Sequence, residues 1–163
     1  MGRMLGAPVN AELTTTGDGS AFRPGEAGRA GPTGESAPVP YRRVLIVEDE
    51  STLRRVIARN LVSRGLIVRE EDCADAAVSA VAAERPDLLL LDINLPDRTG
   101  WEVLRELSQR RTEVPTIVMS AVRVQPARLA EFHPIAFLPK PFPLESLLRL
   151  VLEATPAQAD SDA

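Results

Sequence analysis

Five short apolar runs punctuate the middle of this chain: RVLIV at 43–47, LIVRE at 66–70, DLLLL at 87–91, PTIVM at 115–119 and IAFL at 135–138. A strand that is apolar at nearly every position is buried on both faces, and a parallel sheet covered by helices on either side is the arrangement that buries strands in this way. DLLLL is the extreme case, because its four leucines leave no polar residue to face water. Only LIVRE turns polar, which places it nearer a sheet edge. Each run is followed by a stretch with helical character, so the pattern predicts an α/β fold, a (βα)5 three-layer sandwich around a five-stranded parallel sheet.

The intervening stretches carry their own start and stop signals. After the first run, Leu53, Ile57 and Leu61 share one helix face, and Gly65 supplies a stop. The Ala-rich CADAAVSAVAAERP makes a slim helix that packs close to the sheet and is ended by Pro86. Thr99 with Glu102 three residues on is a capping box, and it fixes a helix start with Trp101, Leu104 and Leu107 along one side. Between the fourth and fifth runs, PARLAEF is poorly patterned. The last helix is the clearest, with Leu144, Leu147, Leu148, Val151 and Leu152 at i, i+3, i+4, i+7 and i+8.

The ends of the chain read differently. Residues 1–40 are rich in Gly, Pro, Ser, Thr and Ala without periodicity, the composition of a disordered arm; a linker is the plain reading and a docking peptide the alternative. A disordered acidic tail is expected at 156–163, leaving one domain at 41–155. With a net charge of −4 and scattered Lys and Arg, the chain lacks the basic stripe of a nucleic-acid surface, so direct DNA binding is not expected. The single cysteine, Cys73, forms no internal disulfide and reads as a small core residue in a reducing compartment, and no run approaches membrane-spanning length. A cytoplasmic protein is expected. Trp101 reads as packing, and His133, the only histidine, as an exposed loop residue without a role.

In an open parallel α/β sheet the ligand site lies beyond the carboxyl ends of the strands. There the chain puts Glu48 and Asp49 after the first run, Asp92 after the third, Ser120 after the fourth, and Phe137 leading into Lys140-Pro141 after the fifth. Clustered carboxylates repel unless a cation intervenes. All-oxygen ligation by carboxylates and a backbone carbonyl suits Mg²⁺ or Mn²⁺, which keep open positions for phosphate oxygens. Metal, ammonium and hydroxyl together make a receptor for a transferring phosphoryl group. An aspartate can itself be the nucleophile, giving an acyl phosphate, and Asp92 at the tip of its strand is the candidate.

VLIVEDES, PDLLLLDINLPDRTGWEVL, PTIVMSA and FLPKPFPLESLL, in that order, resemble the signature blocks of the receiver (CheY-like) domain of bacterial two-component response regulators. The resemblance covers residues 42 to about 155. It implies a flavodoxin-like sheet of order 2-1-3-4-5, with Asp92 as phosphoacceptor, Asp49 as a direct metal ligand, Glu48 holding the metal through water, and the Asn94 backbone carbonyl as a further ligand. It also implies that Ser120 bonds a phosphoryl oxygen, that Lys140 pairs with the phosphate, that Phe137 is the switch aromatic, and that the Lys140–Pro141 bond is cis. Glu48 stands where Asp is commoner and Ser120 where Thr is frequent. Phe137 lacks a tyrosine hydroxyl, and AVRVQPARLAEFHP is shorter than usual, so a short fourth helix and an altered output face are expected.

The function this implies is a non-enzymatic switch. A histidine kinase or phosphotransfer protein would phosphorylate Asp92 with Mg²⁺, and the signal would pass to a protein target through helix four, strand five and helix five, in a monomer or a phosphorylation-dependent dimer. No second domain follows Val151, so a stand-alone regulator is expected. Two alternatives differ in class. A receiver-like adaptor would bind partners without being phosphorylated. A phosphohydrolase of the haloacid-dehalogenase type would want an acid two residues after the nucleophile, where this chain has Asn94, and its nucleophile on the first strand.

Overall fold

The structure is a computed structural model that describes residues 41–153. The expected arm at 1–40 and tail at 156–163 lie outside the described residues. Five strand–helix pairs follow one another: β1 (Arg43–Val47), α1 (Ser51–Val62), β2 (Ile67–Glu71), α2 (Ala74–Ala83), β3 (Leu88–Asp92), α3 (Gly100–Gln109), β4 (Thr116–Ser120), α4 (Pro126–Phe132), β5 (Ala136–Pro139) and α5 (Leu144–Glu153). All strand pairings are parallel, and the order is β2-β1-β3-β4-β5.

Strand periodicity divides the core in two. Val44, Ile46, Leu88, Leu90, Ile117 and Met119 point to one side, where they meet Ile57 and Leu61 of α1 and Leu147, Leu148 and Val151 of α5. The alternate residues Leu45, Val47, Leu89, Leu91 and Val118 meet Ala77, Val78 and Val81 of α2 and Val103, Leu104 and Leu107 of α3. Every residue of β3 and β4 is buried, whereas the edge strand β2 has none. The continuous leucines of β3 are therefore shared between two cores, which is why that run shows no alternation.

Four of the strands begin one residue later than their apolar runs suggest, so Asp92 and Ser120 are the last residues of β3 and β4 rather than the first beyond them. Helix α2 ends at Ala83, three residues before Pro86, with Glu84 already extended. Proline disfavours helical backbone in the residue before it, so the helix stops short of the ring. In α3 the buried positions are Gly100, Val103, Leu104 and Leu107. Trp101 falls off that stripe, half-buried, and stacks on Phe132 of α4 with ring centroids 5.4 Å apart. Gly65 closes α1 with φ +85°, the left-handed conformation expected of a helix stop. Helix α4 is short, as expected, and none of its residues is buried. It ends at His133, exposed and left-handed at φ 46°.

Candidate functional site

The loops after β1, β3, β4 and β5 bring the predicted polar residues to one end of the sheet. At the end of β1 the chain turns sharply into α1, and Arg54 in the first turns of that helix donates to the carbonyl of Glu48 at 2.6 Å and to that of Asp49 at 3.4 Å. Glu48 points inward and is fully buried, while Asp49 is exposed. Asp92 ends β3 and is 4% exposed. Carboxylate oxygens of Glu48, Asp49 and Asp92 lie within 4.8 Å of one another.

Lys140 reaches into this cluster after β5. Its Nζ donates to Glu48 Oε2 and to Asp92 Oδ2, both at 2.6 Å. The remaining oxygens are also engaged: Glu48 Oε1 accepts from the Glu50 N–H at 3.2 Å, and Asp92 Oδ1 accepts from the Asn94 N–H at 2.9 Å. The backbone beneath Lys140 is fixed by its N–H donating to the Ser120 carbonyl at 2.8 Å, and the Lys140–Pro141 bond is cis. A cleft of about 360 Å³ opens beside it, lined by Glu50, Leu53, Ala121, Pro141 and Phe142.

The electrostatics show a shortage of positive charge. Burial raises the Glu48 carboxyl above its ordinary value, and the neighbouring Asp92 charge adds to this, although the Lys140 hydrogen bond opposes it. For Lys140, burial disfavours the charged form, but hydrogen bonds to Asp92 and Glu48 outweigh it and its pKa is raised. Both shifts favour holding a proton. Three carboxylates, set against the Lys140 ammonium on two of them and the Arg54 guanidinium on the adjoining backbone, still leave an excess of negative charge. A hard cation bound through oxygen answers that excess, so the donor set fits Mg²⁺.

Not every predicted residue enters the cluster by its side chain. Ser120 is buried, and its Oγ accepts the Val122 N–H at 3.1 Å. Phe137 is half-buried and packs against the core beneath α2 and α3. The Asn94 side chain is exposed, and only its N–H contacts Asp92. Two residues that the sequence reading passed over also shape the site, Arg54 and Gly100. A Cβ at Gly100 would stand 2.5 Å from the Asp92 carbonyl oxygen. The signal for it was a glycine in the first turn of a helix right after a site loop; Arg54 gave none, because one arginine on an arginine-rich helix does not stand out.

This geometry has close relatives. The sequence profile described as response regulator receiver domain matches residues 44–152. The DNA-binding transcriptional regulator NtrC of Salmonella typhimurium is 34% identical over 113 residues, 68% of this chain and 24% of NtrC. Response regulator MprA of Mycobacterium avium is 33% identical over 126 residues, 74% of this chain and 55% of MprA. The chain thus spans about a quarter to a half of these relatives' length. Among solved structures, response regulator protein TrrA of Thermotoga maritima in complex with Mg²⁺-BeF superposes with a TM-score of 0.61 at 23% identity, covering 69% of this chain and 97% of TrrA. With the same sheet order, the acid cluster at the strand tips and a family match running from β1 to α5, the chain belongs to the response regulator receiver domain family.

Proposed function

We propose that Asp92 accepts a phosphoryl group from a phosphohistidine on a kinase or phosphotransfer protein, assisted by Mg²⁺, and that the modified domain signals through protein contacts. The observation that carries this reading is the Lys140 ammonium held between Glu48 and Asp92 with Asp49 alongside. In the transfer, the donor N–P bond breaks as an O–P bond forms to an Asp92 carboxylate oxygen, and the departing imidazole keeps its electron pair and takes up a proton from water. Glu48, Asp49, Asp92 and the Asn94 carbonyl would hold Mg²⁺ or Mn²⁺, which when bound neutralises charge on the phosphoryl oxygens. That TrrA was solved with Mg²⁺-BeF supports a divalent metal at such a site.

The chain's own residues supply position and charge. Burial on β3 fixes Asp92 to a narrow set of rotamers, as in-line displacement requires. Lys140 moves from the carboxylate to the phosphoryl oxygens once Asp92 carries the acyl phosphate. Ser120 gives up the Val122 N–H and donates to the phosphoryl group, and Phe137 turns inward behind it. The overall charge of −4 supports output through protein rather than DNA contacts. A cytoplasmic location is the compartment where such donors reside; among the described residues no helix is long and apolar enough to cross a membrane.

The test is incubation with acetyl phosphate or phosphoramidate and Mg²⁺, read by intact mass. A phosphoryl-sized gain that is acid-stable and base-labile is expected for the wild-type chain and absent from Asp92→Asn. Identical behaviour of the two would refute the phosphoacceptor assignment and leave a binding-only adaptor.

A further inference from the structure

The loop between β3 and α3 is anchored twice, in two different ways. At its base, Asn94 bridges Thr99 in antiparallel fashion and the Gly100 N–H donates to the Ile93 carbonyl at 2.9 Å, so the loop is closed on β3. Its tip is tied to another element. Asp97 Oδ1 accepts the Ala74 N–H and Oδ2 accepts the Asp75 N–H, each at 2.9 Å. These are orphan donors at the start of α2. The residue in the N-cap position of that helix, Cys73, has extended backbone suited to capping and makes no side-chain cap bond. Helix α2 therefore takes its cap from the site loop. Arg98 reinforces the tie with ion pairs to Asp75 at 2.7 Å and to Glu106 of α3 at 2.8 Å.

We propose that Asp97 is a positioning residue for the phosphoryl-transfer site, clamping the loop tip to the start of α2 and so fixing the Asn94 backbone. That backbone serves the site at two atoms: its N–H holds Asp92 Oδ1, and its carbonyl is the proposed metal ligand. The inference rests on the phosphoryl-transfer reading for that second role. Asn94 lies three residues before Asp97, and Leu95 and Pro96 between them make no backbone ladder of their own. Without the clamp the loop is held only at its base, through the Thr99 bridge and the Asp92 contact, so the direction of the carbonyl loosens and metal affinity falls.

A helix cap and a site clamp are separable by giving α2 a cap of its own. Cys73→Ser places a good N-cap side chain on backbone already in the right conformation. Mg²⁺ affinity by calorimetric titration and the metal-free melting temperature are measured for wild type, Asp97→Ala and the double variant Cys73→Ser/Asp97→Ala. Asp97→Ala is expected to lose stability and to bind Mg²⁺ about tenfold more weakly, the low end of the loss seen when a residue orienting a metal ligand is removed. The double variant is expected to regain melting temperature while its affinity stays about tenfold weak, at high as well as low salt. Recovery of affinity together with stability would reduce Asp97 to a helix cap and overturn the proposal, as would an effect that disappears at high salt. If Asp97→Ala does not fold, the recapped double variant carries the comparison. A wild-type chain that binds no Mg²⁺ removes the metal reading and the clamp with it, whereas wild-type binding with unchanged affinity in Asp97→Ala removes the clamp alone.

Discussion

Lys140→Met removes one charge while keeping most of the side chain's length, and it tests whether the ammonium is what keeps the acid cluster folded. Each 2.6 Å contact to Glu48 and Asp92 is worth about 6 kcal/mol of gross attraction at an effective dielectric near 20. Most of that is offset by the desolvation of Lys140, whose side chain is 17% exposed. What decides the outcome is the pair left behind, two buried carboxylates without a counterion; breaking such a pair costs about 3–5 kcal/mol. For a domain of this size the loss corresponds to a melting temperature lower by roughly 10–20 °C. Two further effects follow from the same geometry. Because folding raises the Glu48 pKa, its protonated form is the one the fold favours, so the gap between variant and wild type narrows as pH falls towards the acid range. With the competing ammonium gone, saturating Mg²⁺ stabilises the variant more than it stabilises the wild type. Scanning calorimetry across pH, with and without Mg²⁺, reads all three. A loss below about 1 kcal/mol, or equal stabilisation of both proteins by Mg²⁺, would refute the cation-deficit reasoning.

Gly100→Ala is expected to cost about 1–3 kcal/mol in urea unfolding, since the new methyl meets the Asp92 carbonyl oxygen at 2.5 Å and backbone must shift. Asp97 has a lowered pKa: burial opposes the shift, but backbone N–H groups led by those of Ala74 and Asp75 outweigh it. Its contribution is full above the unfolded value of 3.8 and is lost as pH falls through the lower folded value, so Asp97→Asn should flatten the acid limb of the stability curve there. Phe132→Ala should cost at least about 1 kcal/mol, since it removes the Trp101 stack, the Arg105 cation–π contact and half-buried apolar area together, and should change the emission of the single tryptophan.

Much of the fold was legible because its strands are buried on both faces: the leucines of β3 and the runs of β1 and β4 have no reading other than a covered parallel sheet. The Thr99–Glu102 box is made by both of its hydrogen bonds, because a cap is decided within four residues. Where the outcome depended on packing between elements, the sequence was less informative. Trp101 looked like part of the α3 core stripe, yet Val103 holds that position and the indole turns to α4, a neighbour that periodicity does not reveal. The acids of the site announced themselves by standing at the ends of apolar strands. Ser120 was placed correctly, but its engagement with the Val122 N–H depends on a turn that no motif encodes. Asp97 drew no notice, since an acid in a polar loop is ordinary and its partners lie 22 and 23 residues away.

The short α4, with nothing buried, is held in place by few contacts. Besides half-buried apolar contact, its attachment to α3 consists of the Trp101–Phe132 stack, Arg105 over the Phe132 ring at 5.8 Å and the exposed Arg105–Glu131 pair. Together these amount to about 1–3 kcal/mol. Were these polar and aromatic contacts all that held it, about 2 kcal/mol would leave roughly one molecule in thirty with the helix detached, and its half-buried apolar contact lowers that fraction. An input that prefers the detached form by about 4 kcal/mol then inverts the ratio. One charge-assisted hydrogen bond, worth about 1.5–3 kcal/mol, falls short of that, so several contacts at the strand tips would have to act together to move the helix.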